Sequence, residues 1–195
     1  STHCISSAAS DVYKRQQISR FAQSGLGRET VNAGKSRSLG AEISLAGAVT
    51  TNFTLTANYG YTYATFKDYV TTNSKLEEIS YNGNYVPFVP KHTLSLGGQY
   101  IFRINPGHWL DRIQVNANYT GAGRIYWTEQ NDVSQSFYGT LNGRLSLQKG
   151  NGQIDFWVRN VLDKDYAAFY FESMGNGFMQ KGRPIQAGIE LRCRF

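Results

Sequence analysis

The chain has 195 residues and a formal net charge of +6, from 20 Lys and Arg against 14 Asp and Glu. Charged residues make up 17% and aromatics 14%, whereas a soluble domain usually carries about 25% charge. The basic residues are scattered, which argues against a nucleic-acid surface, and no run of about 18 apolar residues exists, which excludes a helical membrane span.

Residues 1–16 lack period-two patterning and the apolar stretch of a signal peptide. Residues 11–16 (D-V-Y-K-R-Q) resemble a translated sequencing-library adaptor. Residues 1–16 are therefore expected to be non-native or disordered, with the patterned chain running over 17–195. Cys4 and Cys193 cannot form a disulfide framework, and Cys193 reads as a small hydrophobe.

From Gln17 the pattern predicts strand after strand. Residues 18–22 are a weak first candidate, and residues 30–47 a long second one, with Leu39, Ala41, Ile43 and Leu45 opposite Ser38, Gly40, Glu42 and Ser44. After a short turn at 49–52, Phe53, Leu55, Ala57, Tyr59, Tyr61 and Tyr63 alternate with small polar residues. Residues 67–86 read as a long polar loop. The fourth strand covers about 88–102, and Asn105-Pro106-Gly107 helps the turn that follows it. Strands five to seven are expected at about 110–126, 136–148 and 153–160, separated by a loop at 127–134 and a tight glycine turn at 149–152. A loop at 161–182 then leads into the last strand, where Ile185, Ala187, Ile189, Leu191, Cys193 and Phe195 alternate with Gln186, Gly188, Glu190, Arg192 and Arg194.

The central apolar faces of strands two to eight carry no Asp, Glu, Lys or Arg. Short connections alternate with long ones, as in outer-membrane barrels with short periplasmic turns and longer extracellular loops. The expected fold class is an all-β antiparallel transmembrane barrel, here a fragment of about eight meandering strands, with the sheet partial or open. The apolar rows face lipid and the polar rows line the lumen. Glu42, Arg144, Asp155, Arg159, Glu190 and Arg192 fall on polar rows, and a lumenal salt-bridge and hydrogen-bond network is their expected role.

The ligand candidates lie near the loops. Arg124, Tyr126 and Trp127 approach one of them, and Phe169, Tyr170, Phe171 and Phe178 populate another, together with Met179. Aromatics with an Arg suit an anionic or aromatic ligand; for Tyr126 and Trp127 an interfacial belt is an equal reading. No catalytic constellation such as G-x-S-x-G is present, and the three histidines show no metal-ligand spacing. No catalytic residue, metal site or cofactor is expected.

The segment N-V-L-D-K-D-Y (160–166) resembles the approach to the last strand of TonB-dependent outer-membrane receptors, continuing through G-R-P (182–184) to the terminal Phe195. N-A-G-K-S-R-S-L-G-A-E (32–42) and V-P-K-H-T-L-S (89–95) resemble further strands of the same family, in family order. The resemblance implies the C-terminal part of a 22-stranded barrel in the outer membrane of a Gram-negative bacterium, with the plug domain absent from this stretch. It implies energy-coupled import of a scarce nutrient, an iron–siderophore chelate first, with energy passed by the TonB protein. Implied partners are outer-membrane lipid, the small nutrient ligand and the barrel-assembly machinery, which would read Phe195. A complete eight-stranded barrel with a structural or adhesive role is the alternative.

Overall fold

The structure, a computed structural model, describes residues 17–21, 28–32, 35–72, 77–105 and 107–194, with the backbone alone for the first two stretches. Phe195 and residues 1–16 lie outside the described residues. The strands in chain order are β1 (Gln17–Phe21), β2 (Arg28–Asn32), β3 (Lys35–Ala48), β4 (Phe53–Asp68), β5 (Val70–Thr72), β6 (Glu78–Ser80), β7 (His92–Arg103) and β8 (Arg112–Ala122). There follow β9 (Ile125–Tyr126), β10 (Ser134–Gln135), β11 (Tyr138–Lys149), β12 (Gly152–Arg159), β13 (Ala167–Ser173), β14 (Asn176–Lys181) and β15 (Gln186–Cys193).

Seven strands form one antiparallel meander in the order β15-β12-β11-β8-β7-β4-β3. They are the expected strands two to eight. The first candidate is a strand too, but β1 pairs with β2 and stays out of the large sheet. The reason lies in the register. Lys35 pairs with Asp68, where β4 ends, so residues before Lys35 have no partner there and pair locally instead. The expected strand at 30–47 accordingly divides between β2 and β3. The three long connections also carry hairpins of their own, β5–β6, β9–β10 and β13–β14.

The sheet is a single open layer. β3 and β15 are its edges and do not pair with each other, so the closed eight-stranded alternative does not form. The registers put one apolar row across five strands, Tyr100–Val115–Leu145–Phe156–Ile189. These side chains face outward uncovered: Val115 is 41% exposed, Phe156 41%, and Ile189 65%. Apolar side chains forming the outer surface of a sheet, with no second layer against them, suit a hydrocarbon solvent. The opposite face carries rows such as Ser44–Asn58–Ser95–Thr120–Thr140, with Thr120 and Thr140 hydroxyls 3.1 Å apart. The buried apolar residues sit mostly among the long connections. Phe66 and Tyr69 pack with Tyr81 and Val86, and Ile125, Trp127 and Ala167 pack with Val133, Tyr138 and Tyr170.

Short connections gather at the opposite end. Asp111 fastens two of them, accepting from Lys149 Nζ at 2.9 Å and from the Gly150 amide at 2.7 Å. Lys149 Nζ also donates to the His108 carbonyl at 2.7 Å.

Candidate functional site at the loop end

The N-V-L-D-K-D-Y segment ties the exit of β12 to the entry of β15. Asn160 and Asp163 both take positive φ, 49° and 44°, a conformation that Asn and Asp tolerate better than other non-glycine residues. Asn160 is buried, and its amide closes the knot. Its Nδ2 donates to the Lys164 and Arg183 carbonyls at 3.2 and 3.0 Å, and its Oδ1 accepts from the Lys164 amide at 3.0 Å. Asp163 Oδ1 accepts from the Ile185 amide at 2.9 Å, setting the start of the last strand.

Above this knot the loops pack on one another. Tyr138 and Tyr166 stack with centroids 4.2 Å apart, and Gln135 Oε1 accepts from the Ala167 amide at 2.7 Å. Trp127 is buried in the loop core, so it does not present its ring to a ligand or to lipid. Tyr170 packs against the same core and donates its hydroxyl to Glu172 at 2.9 Å. Phe169, Phe171 and Phe178 stand on the β13–β14 hairpin. Phe171 and Phe178 are register partners with rings stacked at 5.2 Å, and Phe169 stacks on Phe88 at 5.6 Å. Such stacked pairs contribute about 0.5–1.5 kcal/mol each beyond their burial. The result is a half-exposed aromatic ladder rather than an irregular loop.

Arg124 and Tyr126 lie elsewhere, at a pocket of about 280 Å³ lined also by Thr62, Tyr85, Val89 and Lys91. The Thr62 amide donates to the Lys91 carbonyl at 2.9 Å, and the Lys91 amide to the Arg124 carbonyl at 3.3 Å. These bonds extend the β4–β7 register by one rung and the β7–β8 register by two, so Thr62, Lys91 and Arg124 share a row on the polar face. Tyr85 and Tyr126 stack at 5.3 Å with planes 11° apart. Lys91 Nζ lies 5.6 Å from the Tyr85 ring centroid and donates to the Tyr85 hydroxyl at 3.5 Å. That hydrogen bond raises the Lys91 pKa above its ordinary value, which keeps the ammonium charged. Among the described residues no carboxylate lines the pocket. Two cations and two stacked phenols without a counter-charge favour an anionic, aromatic guest.

Sequence reasoning missed Lys91 and Tyr85. Lys91 was visible in principle, because it stands two residues before Thr93 and so shares its face. Tyr85 was not, since its place depends on an isolated bridge between Thr65 and Tyr85.

On the polar face near the C-terminus the structure brings together Arg144, Asp155, Glu190 and Arg192. Asp155 is fully buried. Arg144 Nη1 donates to Asp155 Oδ2 and to Glu190 Oε2, both at 3.4 Å. Arg192 Nε donates to Glu190 Oε1 at 2.8 Å and lies 3.8 Å from Asp155 Oδ2, while Gln153 Nε2 donates to Asp155 Oδ1 at 2.8 Å. Two cations and an amide thus surround the buried carboxylate, as a charge out of water requires. Arg159 stands apart, over the Trp157 ring at 5.1 Å. Glu42 is also separate, on β3 four strands away from β11.

A family model described as TonB dependent receptor-like, beta-barrel matches residues 9–161. The chain belongs to this family. It is an outer-membrane β-barrel chain, and the apolar outer row described above is its lipid face. The pesticin receptor of Yersinia pestis is 26% identical over 165 residues, covering 84% of this chain and 23% of that protein. The crystal structure of the ferric yersiniabactin uptake receptor FyuA from Yersinia pestis superposes with a TM-score of 0.72 at 23% identity, over 86% of this chain and 25% of the other. The siderophore receptor PiuA from Acinetobacter baumannii gives 0.74 at 18% identity, over 97% and 26%. The receptor chain therefore spans about a quarter of the length of the proteins it matches.

Proposed function

We infer that the chain is the C-terminal part of a receptor that imports an iron chelate across the outer membrane, with energy supplied through the TonB protein. The observation that carries this reading is the Lys91–Arg124–Tyr85–Tyr126 pocket at the loop end of the sheet. Ferric siderophores are commonly anionic and often aromatic, and the pocket offers charge and stacking with no opposing carboxylate. Arg124 and Tyr126 contact the ligand, and the Phe169–Phe171–Phe178 ladder flanks the approach. The geometry of the edges fits a larger barrel. β3 and β15 run in the same direction, being first and seventh in an antiparallel meander, so closure without a parallel seam requires an odd number of further strands.

The test uses the complete coding sequence that contains this chain, in a strain lacking its own siderophore receptors. Uptake of radio-iron supplied as ferric yersiniabactin and as ferrichrome is measured with and without TonB. TonB-dependent uptake of either chelate, with binding weakened about tenfold by Lys91→Ala and Arg124→Ala, supports the reading. Failure to bind or take up any iron chelate, or binding indifferent to both substitutions, overturns it.

A further inference from the structure

The strands β7 and β8 each carry a cation at both ends of one face. Lys91 precedes β7 and Arg103 ends it; Arg112 begins β8 and Arg124 follows it. Register places all four on the polar face. Arg103 pairs directly with Arg112, and the Lys91 amide bonds the Arg124 carbonyl at the other end. Twelve residues separate the two cations on each strand, about 40 Å of strand and about 30 Å of height at the usual barrel tilt. Between them every polar-face residue is uncharged, from Thr93 to Ile101 on β7 and from Gln114 to Ala122 on β8. The adjoining face of β4, from Thr54 to Ala64, is uncharged as well.

The lower pair is the informative one. Like charges directly opposite on neighbouring strands destabilise a sheet. Arg103 donates Nη1 to Asn52 Oδ1 at 2.9 Å, a neutral partner. The nearest carboxylate in sequence, Asp111, is committed to Lys149 and Gly150. On the same face Asp155 and Glu190 are held by Arg144 and Arg192, and Glu42 lies beyond β4. Among the described residues no carboxylate pairs with Arg103 or Arg112, and arginines so placed opposite each other make a site for an anion.

We propose that the β7–β8 wall is the track of an anionic solute, taken up at Lys91 and Arg124 and released past Arg103 and Arg112. This rests on the import reading. The uncharged span holds the solute weakly by hydroxyl and amide hydrogen bonds. The second cation pair then draws it toward the short-turn end, so that neither site traps it.

Two measurements on the full protein in outer-membrane vesicles test the track. In a background cleared of the full protein's own cysteines, Cys193→Ser among them, Asn118→Cys places a thiol between the pairs. Its modification rates by a sulfonate-bearing and a trimethylammonium-bearing methanethiosulfonate are compared with those of free glutathione. The sulfonate reagent is expected to be favoured, and Arg103→Gln with Arg112→Gln to cut that preference by about threefold or more. A preference for the cationic reagent, or one unmoved by removing the arginines, overturns the proposal whatever the substrate. In the second, Arg112→Gln leaves surface binding of ferric yersiniabactin within about twofold while slowing radio-iron entry by about fivefold, and Arg112→Lys restores entry. Equal loss of binding and entry, or no loss of either, overturns it. A wild-type protein that takes up no iron chelate but keeps the sulfonate preference sinks the import reading and leaves the anion track standing.

Discussion

The side-chain amide of Asn131 pairs with the backbone of Tyr85 as a neighbouring strand would. Its Oδ1 accepts from the Tyr85 amide at 2.7 Å and its Nδ2 donates to the Tyr85 carbonyl at 2.9 Å. Asn131 adopts φ of 62°, which Asn tolerates and Ala does not. The loop before β10 thus holds the ring that stacks on Tyr126 and lies against Lys91. Asn131→Ala is expected to speed amide exchange at Tyr85 and to weaken chelate binding by about three- to tenfold. Asn131→Asp, which keeps the acceptor and the backbone preference, should fall between. Unchanged exchange at Tyr85 in the Ala variant would show that the ring is held by other contacts.

Asn160→Ala should be the more damaging loop substitution. It removes three side-chain hydrogen bonds at a buried position and puts Ala where φ is 49°. The expected loss is about 2–4 kcal/mol, read as a lower temperature of the folded-to-unfolded gel shift. Hydrogen exchange should localise the damage to residues 160–166 and the start of β15. Asn160→Gly, which restores φ but none of the bonds, should recover part of it.

The short-turn end carries an acid-sensitive latch. The Gly150 amide, and then the Lys149 ammonium, hold the Asp111 carboxyl below its ordinary range. A depressed folded pKa adds stability that is present above the unfolded value and is lost as pH falls through the folded value. Exchange at the Gly150 amide should therefore be steady at neutral pH, after correction for intrinsic rates, and rise as the pH falls below the ordinary carboxylate range. Asp111→Asn should abolish that pH dependence while raising exchange at neutral pH. A latch that opens equally in wild type and variant would contradict the assignment.

The membrane strands were legible because each alternates over many residues with one face free of charge. A run such as Phe53 to Tyr63 leaves only one register that keeps its apolar set together. The loop hairpins were not legible, because three-residue strands such as β5 and β6 are made by local pairing rather than by a pattern. Among the site residues the parity of Arg144, Asp155, Glu190 and Arg192 was readable, and their registers then brought them into contact. Arg159 has the same parity, yet its guanidinium lies over the Trp157 ring two residues away. Phe171 and Phe178 sat in the sequence as separate aromatics, and only the β13–β14 register makes them a pair. Trp127 could not be told from a girdle residue, since the core that buries it is closed by Ala167 and Tyr170, far along the chain.

Which face meets lipid can be decided by moving one charge across the sheet. Leu96 and Asn118 lie on neighbouring strands, on opposite faces, one rung apart in the register. Leu96 is 44% exposed with no layer of protein over it, so in water Leu96→Arg would cost little. In a bilayer the same substitution near mid-strand costs about 2–4 kcal/mol, because the guanidinium must be desolvated or drag water inward. Asn118→Arg, on the polar face, should cost under about 1 kcal/mol. Folding of the full receptor into vesicles, followed by denaturant titration, reads both values. Equal costs for the two, or a larger cost for Asn118→Arg, would mean that the apolar rows do not face hydrocarbon. The track along β7 and β8 would then lose its lumen as well.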